Sequence, residues 1–342
     1  MEKIMIPPLD SNAAEVIKNN WAKMDKPLHS LGKLEEMVEK YAAMTGTALP
    51  DKIKSAMLLM CGDHGIAKYG VSAYPQEVTM QMINGYMRET AGANVMARHA
   101  GADVFVIDAG TAFDLSAMPK VHQEKVAWGT EDFTQGPAMT VEQAEKALKV
   151  GMKVADECID KGYNLLVTAE MGIGNTTSTA AIVSAFLGLP PELTVGRGTG
   201  INDERMAIKR KVVADGLAKN QPLLGDAMDI LCKVGGYDHA GLAGMILAGA
   251  RRRIPTMVDG VNATAAALLA YGLEPACADY MLCSHLSAEI SHAKMLEVLR
   301  LTPIVDAGMR LGEGTGASLA IVILQMAINT YKELYKRGGM HA

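Results

Sequence analysis

The sequence predicts an α/β fold in which a parallel sheet is covered by helices on both faces, with a small helical domain built from the two chain ends. Three observations carry that expectation. Short apolar runs of strand length recur along the 342 residues, longer segments of helical character separate them, and the outermost segments are helical with no strand between them. A strand buried on both faces reads as a continuous apolar run, and these do.

Taken in order, segment 10–45 reads as helix without strand. Ala56-Met-Leu-Leu-Met-Cys61 is the first buried strand, and a helix-like stretch at about 76–99 follows it, with Pro75 at its start. Asp103-Val-Phe-Val-Ile-Asp108 is the second strand, followed by a helix at 140–161, and Leu165-Leu-Val-Thr168 is the third. Helices are expected at 176–187, 203–219 and 238–252, the last closing on Arg251-Arg-Arg253, where positive charge suits the helix dipole. Pro255-Thr-Met-Val258, Tyr280-Met-Leu-Cys283 and Pro303-Ile-Val305 complete the strands, alternating with helices at 260–271 and 287–299, and 315–337 is a final helix. Residues 1–50 and 315–342 are thereby expected to form the small helical domain, and 51–314 the large α/β domain.

Composition narrows the function. A content of 49% hydrophobic residues can bury a large core. No apolar run approaches the roughly 20 uncharged residues of a membrane span, and Met1-Glu-Lys-Ile-Met-Ile-Pro-Pro8 has neither a signal-peptide core nor an Arg-rich transit character, so a cytoplasmic location is expected. Five cysteines without a Cys-x-x-Cys pair suggest neither a disulfide framework nor a structural zinc site. A net charge of −5 with four Phe and two Trp supplies no basic stripe and few stacking platforms, which excludes nucleic acid and points to a small molecule. The 24 methionines read as core filler.

In a parallel sheet, ligands bind outside the carboxyl ends of the strands, where this chain carries its unusual residues. In Leu311-Gly-Glu-Gly-Thr-Gly316, Glu313 stands between glycines at a strand-to-helix junction, with no helix face to decorate. It reads as a working carboxylate, although a capping carboxylate would occupy the same place. Glu170-Met-Gly-Ile-Gly-Asn-Thr-Thr-Ser-Thr179 sets glycines before hydroxyl residues at a helix start, an arrangement that offers N–H groups and a dipole to a phosphate. Gly70-Val-Ser-Ala-Tyr-Pro-Gln-Glu-Val-Thr79 mixes small, aromatic and hydrogen-bonding residues suited to a flat aromatic group.

Familiar nucleotide signatures are missing. Neither a P-loop nor a Gly-x-Gly-x-x-Gly occurs, since Gly196-Arg-Gly-Thr-Gly200 and Gly312-Glu-Gly-Thr-Gly316 have other spacings. That weighs against ATP hydrolysis and against an oxidoreductase on this kind of sheet. No histidine among His64, His239, His285 and His292 lies at i, i+4 from another, so no metal is expected and structural roles suit them better.

Together, Gly62-Asp-His-Gly65, the Ser72–Thr79 block, Glu170–Thr177, Gly196–Gly200, Asp238-His-Ala-Gly241, Ser284-His-Leu-Ser-Ala-Glu289 and Asp306–Ala317 resemble the nicotinate-nucleotide:dimethylbenzimidazole phosphoribosyltransferases. The resemblance spans nearly the whole chain. It implies a parallel sheet of Rossmann-like connectivity, a dimer, and transfer of 5-phosphoribosyl from nicotinate mononucleotide to a cobamide lower-ligand base, with no cofactor and no metal. Position by position, it implies Glu313 as general base and Glu170, Gly172, Gly174, Asn175, Thr176, Gly198, Lys209, Ser287 and Gly312 around the phosphoribosyl group. Ser72, Tyr74, Gln76 and Leu311 are implied around the base. One block departs: the family commonly reads Thr-Lys-Pro-Pro-Gly-Ser-Leu-Gly-Arg-Leu-Glu where this chain has Asp25-Lys-Pro-Leu-His-Ser-Leu-Gly-Lys-Leu-Glu35. Some relatives act on phenol or p-cresol as pairs of unlike subunits, so a phenolic acceptor, a heterodimer and a non-catalytic subunit stay open beside a homodimer acting on a benzimidazole.

Overall fold

The computed structural model describes residues 4–338. Residues 1–3 and 339–342, the outer edges of the expected terminal domain, lie outside the described residues. Seven strands, β1 (Ser55–Gly62), β2 (Ala102–Gly110), β3 (His122–Gln123), β4 (Leu165–Met171), β5 (Thr256–Val258), β6 (Met281–His285) and β7 (Pro303–Val305), form one sheet in the order β3-β2-β1-β4-β5-β6-β7. Every pairing is parallel. The chain runs outward from β1 through β2 to β3, then returns to β1's other side with β4 and continues to β7. The strand order therefore reverses between β1 and β4, and the carboxyl ends of the strands beside this switch point are where a ligand site is expected.

The helices follow in chain order: α1 (Ser11–Lys23), α2 (Lys33–Thr45), α3 (Glu77–Met87), α4 (Gly92–Ala100), α5 (Val141–Asp160), α6 (Asn175–Leu187), α7 (Asp203–Asn220), α8 (Ala227–Val234), α9 (Tyr237–Arg251), α10 (Val261–Leu273), α11 (His292–Leu299) and α12 (Thr315–Gly338). All eight residues of β1 are buried, so both of its faces must be covered. Gly241 of α9 lies against Met60, while Gly314, which leads into α12, lies against Met57. Residues three apart on a strand point to opposite faces, so α9 and α12 cover opposite sides of the sheet. Burying each such Leu or Met side chain stabilises the fold by about 1.5–3 kcal/mol.

The two chain ends meet through α1, α2 and α12. The Trp21 ring packs edge-on to Tyr331 at 5.0 Å, Asn20 donates to the Tyr331 hydroxyl at 2.7 Å, and that hydroxyl donates to the Ala48 carbonyl at 3.2 Å. Asp10 caps α1 by accepting from Ala13 N–H at 3.0 Å. In the divergent Asp25–Glu35 block, Glu35 accepts from both Lys26 at 2.7 Å and Leu31 N–H at 3.0 Å, which holds the loop onto the start of α2. α12 also runs along α4 and over β6, so it belongs to the sheet's cover as well as to the terminal cluster.

Several expected boundaries are corrected. The single helix expected at 76–99 is two, because the chain turns at Arg88–Ala91. Glu89 takes a positive φ of 59° there, and Thr90 N–H returns to Gly85 O at 3.0 Å. The helix expected at 287–299 begins only at His292, leaving Leu286–Ser291 as a loop. β3 and α8 have no counterpart among the expected elements. β3 has two residues, and α8 is a short helix capped by Asp226, which accepts from Asp229 N–H at 3.0 Å.

Candidate active site

A cleft of about 370 Å³ opens at the carboxyl ends of the strands. Three helix starts surround it: Asn175 and Thr176 of α6, Val261 and Asn262 of α10, and Gly312 on the approach to α12. The positive ends of the α6 and α10 dipoles lie at the cleft, an arrangement that favours an anion. Glu170, at the end of β4, lies on its floor, while Tyr74 and Leu311 stand at its mouth, 55% and 62% exposed. A larger cavity, about 620 Å³, lies along the open edge of β2, but among the residues singled out from the sequence it holds none.

Beneath the cleft lies a group of buried acids. Glu313 has a positive φ of 58° between Gly312 and Gly314, and its side chain turns inward. Asp259, just past β5, accepts from Gly314 N–H at 3.0 Å and Ala317 N–H at 2.9 Å, so it caps α12 and fixes the loop that carries Glu313. Burial pushes the Glu313 carboxyl up from its ordinary value; the neighbouring Tyr86 hydroxyl counteracts this and Asp259 reinforces it. The Tyr86 contact is electrostatic and not an aligned hydrogen bond, since Tyr86 Oη and Glu313 Oε2 are both buried without a hydrogen-bond partner. Glu313 thus has the Tyr86 hydroxyl as a neighbour, and its Oε2 makes no aligned hydrogen bond. Gly312 comes so close to Glu170 that a Cβ added there would stand 2.5 Å from Oε1. Burial raises the Glu170 carboxyl well above the usual range, with Asp238, Asp259 and Glu313 adding to the effect, and a hydrogen bond from Asn262 opposing it. The Asn175 side-chain amide donates to Glu170 Oε2.

Away from the acids, the chemistry is basic. Lys209 on α7 is 1% exposed and donates to Thr176 Oγ1 at 2.8 Å and to Gly196 O at 3.2 Å. Burial lowers its pKa to about 8, with Glu289 pulling the other way. Glu289 accepts from Gly198 N–H at 2.9 Å through Oε1 and packs so tightly on Gly196 that a Cβ there would stand 1.8 Å from Oε2. A carboxylate of the chain therefore sits where a free Gly-rich loop and a buried lysine would receive an anion. Glu289 closes the Ser284–Glu289 block, yet a helix from 287 would make it one more exposed helical acid, so its contact with the Gly196–Gly198 loop is not legible in the sequence.

Of the residues singled out from the sequence, Glu170, Asn175, Thr176, Gly198, Ser287, Gly312, Tyr74 and Leu311 line the cleft together. Lys209 lies directly behind Thr176, and Glu313 directly behind Gly312. Ser72 is buried at one end, where its hydroxyl lies 3.1 Å from Thr199 Oγ1, and Gln76 precedes α3 outside the cleft lining. Gly172 and Gly174 do not line it either. A Cβ on Gly172 would fall 1.8 Å from Gly62 O, so that glycine allows the ends of β1 and β4 to meet; Gly174, at φ 103°, faces His64 and Ile66.

Histidine spacing in the sequence gives no hint of one cluster. His64, Asp238 and His239 bring ligand-type atoms within 4.8 Å of one another, all buried. Asp238 lies 3.2 Å from His64 Nε2 and 3.1 Å from His239 Nδ1. These are ion-pair distances, and the two imidazoles hold the Asp238 carboxyl far below its usual range against the effect of burial, although His64 Nδ1, His239 Nδ1 and Asp238 Oδ1 make no aligned hydrogen bond.

Comparison with known proteins agrees in sequence and in fold. A family profile described as "Phosphoribosyltransferase" matches residues 6–338. The chain is 46% identical over 329 residues, covering 96% of itself and 93% of the relative, to a nicotinate-nucleotide–dimethylbenzimidazole phosphoribosyltransferase of Chloroflexus aggregans. A protein of the same name from Geobacter sulfurreducens is 46% identical over 94% of this chain and 92% of its own length. The crystal structure of CobT from Thermus thermophilus superposes with a TM-score of 0.90 at 40% identity, over 94% of this chain and 96% of that one.

Proposed function

Because this chain belongs to the nicotinate-nucleotide–dimethylbenzimidazole phosphoribosyltransferase family, we propose that it moves 5-phosphoribosyl from nicotinate mononucleotide to 5,6-dimethylbenzimidazole. The products are α-ribazole phosphate and nicotinate. The lone-pair nitrogen of the base attacks C1′ from the face opposite the nicotinate, which converts a β-linked into an α-linked nucleotide. The electron pair of the breaking C1′–N bond returns to the pyridinium ring and neutralises it. Attack would leave the new nucleotide cationic, so the proton on the other base nitrogen must go to an acceptor. Glu313 is assigned that role, and the observation that carries the assignment is its buried carboxylate, with Oε2 in no aligned hydrogen bond, next in the chain to Gly312 of the cleft lining. Burial raises its basicity above that of a solvated carboxylate, which strengthens it as a proton acceptor.

Lys209, Thr176, Gly198 and Ser287 are assigned to the phosphate end, with Glu170, Asn175 and Gly312 beside the ribose. Gly172 and Gly174 act as spacers that hold these backbones in place. Tyr74 and Leu311 flank the base, with Ser72 and Gln76 further along that wall. Two substrates and one carboxylate account for every atom and charge of the reaction. The enzyme is assigned to the cytoplasm as a homodimer. Among the described residues, no helix is long and apolar enough to cross a membrane.

The test is to incubate the purified chain with nicotinate mononucleotide and, separately, dimethylbenzimidazole, adenine, phenol and p-cresol. Nicotinate release is followed and each nucleotide identified by mass. Release with dimethylbenzimidazole is the expected result. Release only with phenols would overturn the base assignment, and no release with any acceptor would overturn the assignment of a self-sufficient enzyme.

A further inference from the structure

A line of buried polar groups runs beneath the cleft and is used by none of the steps above. His239 Nε2 lies 2.8 Å from Thr179 Oγ1, and the Thr179 hydroxyl donates to Asn262 Oδ1 at 2.8 Å. Behind the histidine, Asp238 faces its Nδ1 at 3.1 Å. The four side chains come from three helices, α9, α6 and α10, and all are buried. A hydroxyl has a single proton. The Thr179 hydroxyl proton goes to the Asn262 carbonyl, so Thr179 accepts from His239 Nε2–H while the same ring faces Asp238 through Nδ1, with a proton on both nitrogens; Asn262 then has only its NH₂ group left to turn toward the cleft. That group faces Glu170, which lines the same cleft. Buried polar groups chained in this way fix one another's orientation, because breaking any bond strands a partner away from water.

We infer that His239 and Thr179 are positioning residues, which hold the Asn262 amide with its NH₂ against Glu170 on the floor of the cleft. They touch neither substrate nor reacting atom. What they set is the direction of one hydrogen bond, and through it how readily Glu170 gives up its proton. Glu170 also faces Asp238 from α9, Asp259 from the end of β5 and Glu313 from the approach to α12. All three carboxylates favour its protonated form, and the Asn262 amide works against them together with the Asn175 amide on Oε2.

The test uses the Thr179→Val and Thr179→Ser variants of the full chain. Valine keeps the shape and deletes the hydroxyl; serine keeps the hydroxyl. The Glu170 carboxylic-acid carbonyl band is identified by infrared difference between wild type and Glu170→Gln, then titrated in each protein without substrate. Loss of the donor in Thr179→Val is expected to raise the Glu170 midpoint by about one pH unit, while Thr179→Ser keeps the wild-type midpoint. An unchanged or lowered midpoint in Thr179→Val would overturn the inference, as would a serine variant that behaves like valine. If Thr179→Val does not fold, Asn262→Leu is measured in its place with the same rise expected.

A second readout rests on the transfer reaction proposed above. Thr179→Val should lower kcat about tenfold and leave KM for nicotinate mononucleotide within about twofold, with Thr179→Ser restoring kcat. An unchanged kcat in an active wild-type background counts against the positioning role. Absence of transfer by the wild type would refute the reaction and leave the infrared result to decide the inference.

Discussion

Replacing Lys209 with methionine separates what the fold gives up at the anion end of the cleft from what binding recovers. The ammonium is buried behind Thr176 with a pKa lowered to about 8, against 10.5 for a free lysine. A displacement of about 2.5 units corresponds to about 3 kcal/mol of disfavour for the charged form in the folded protein at pH 7. The sign follows from proton counting. Between pH 8 and 10.5 the unfolded chain keeps the proton and the folded chain does not, so wild-type stability should rise through that window. In Lys209→Met this contribution is gone. Urea unfolding of both proteins, at intervals from about pH 7 to 10.5, should show the wild type gaining about 3 kcal/mol relative to the variant, since the titrations of the other groups are common to both. Near pH 7 the two should differ little, because removing a disfavoured charge offsets two lost hydrogen bonds of about 1–2 kcal/mol each.

Binding should move in the opposite direction. An anion placed beside Lys209 favours the ammonium, so nicotinate mononucleotide should bind the wild type with an affinity that is flat below about pH 8 and falls about tenfold per unit above it. Lys209→Met should bind about 100-fold more weakly, without that bend. Stability curves that run parallel across the whole range would refute the buried-charge argument. Unchanged nucleotide affinity would remove Lys209 from the anion site.

Three further outcomes follow from the same geometry. Glu313→Gln should lower transfer by about 10²–10⁴-fold in a steady-state assay while nucleotide affinity by calorimetry stays within a few-fold, because the acceptor is lost and the anion end is untouched. Gly172→Ala places a Cβ 1.8 Å from Gly62 O and should lose more than about 3 kcal/mol in denaturant unfolding, a cost of overpacking at a strand end with no room to relax. Glu289→Gln removes the carboxylate that occupies the Gly198 N–H, and equilibrium dialysis should show tighter nucleotide binding, since the incoming phosphate then displaces a neutral group.

The parts of the fold legible in the sequence are those whose cause is local. β1, β2 and β4 announce themselves as apolar runs because their faces are buried along most of their length. The two-residue β3 has no such run, and the break between α3 and α4 rests on Glu89 adopting a left-handed conformation, which its residue type does not advertise. Glu313 is legible for the same local reason, as a charge flanked by glycines. Lys209, by contrast, lies on a helix with no apolar stripe to set it apart, and only the approach of the Gly196–Gly198 loop makes it a buried cation. His64 and Asp238 are 174 residues apart and meet because β1 ends against the start of α9. Sequence spacing has no access to that kind of contact.

The charge pattern of the cleft explains why it needs this fold. At the acid end, Glu170, Asp259 and Glu313 crowd together with Asp238 close behind, an arrangement that mutual repulsion would disperse if the groups were free. The backbone prevents this. Asp259 is tied to the N–H groups of Gly314 and Ala317, Glu170 to Asn175, and Asp238 to two imidazoles, while Glu313 has the Tyr86 hydroxyl as a neighbour and no aligned hydrogen bond at Oε2. Burial and the neighbouring Asp259 make accepting a proton more favourable at Glu313 than in water, since both disfavour its charged form. At the other end, helix starts and a buried lysine offer attraction to an anion. In the proposed reaction the nucleotide phosphate and the N–H of the incoming base therefore meet different groups, and proton removal and phosphate binding do not compete.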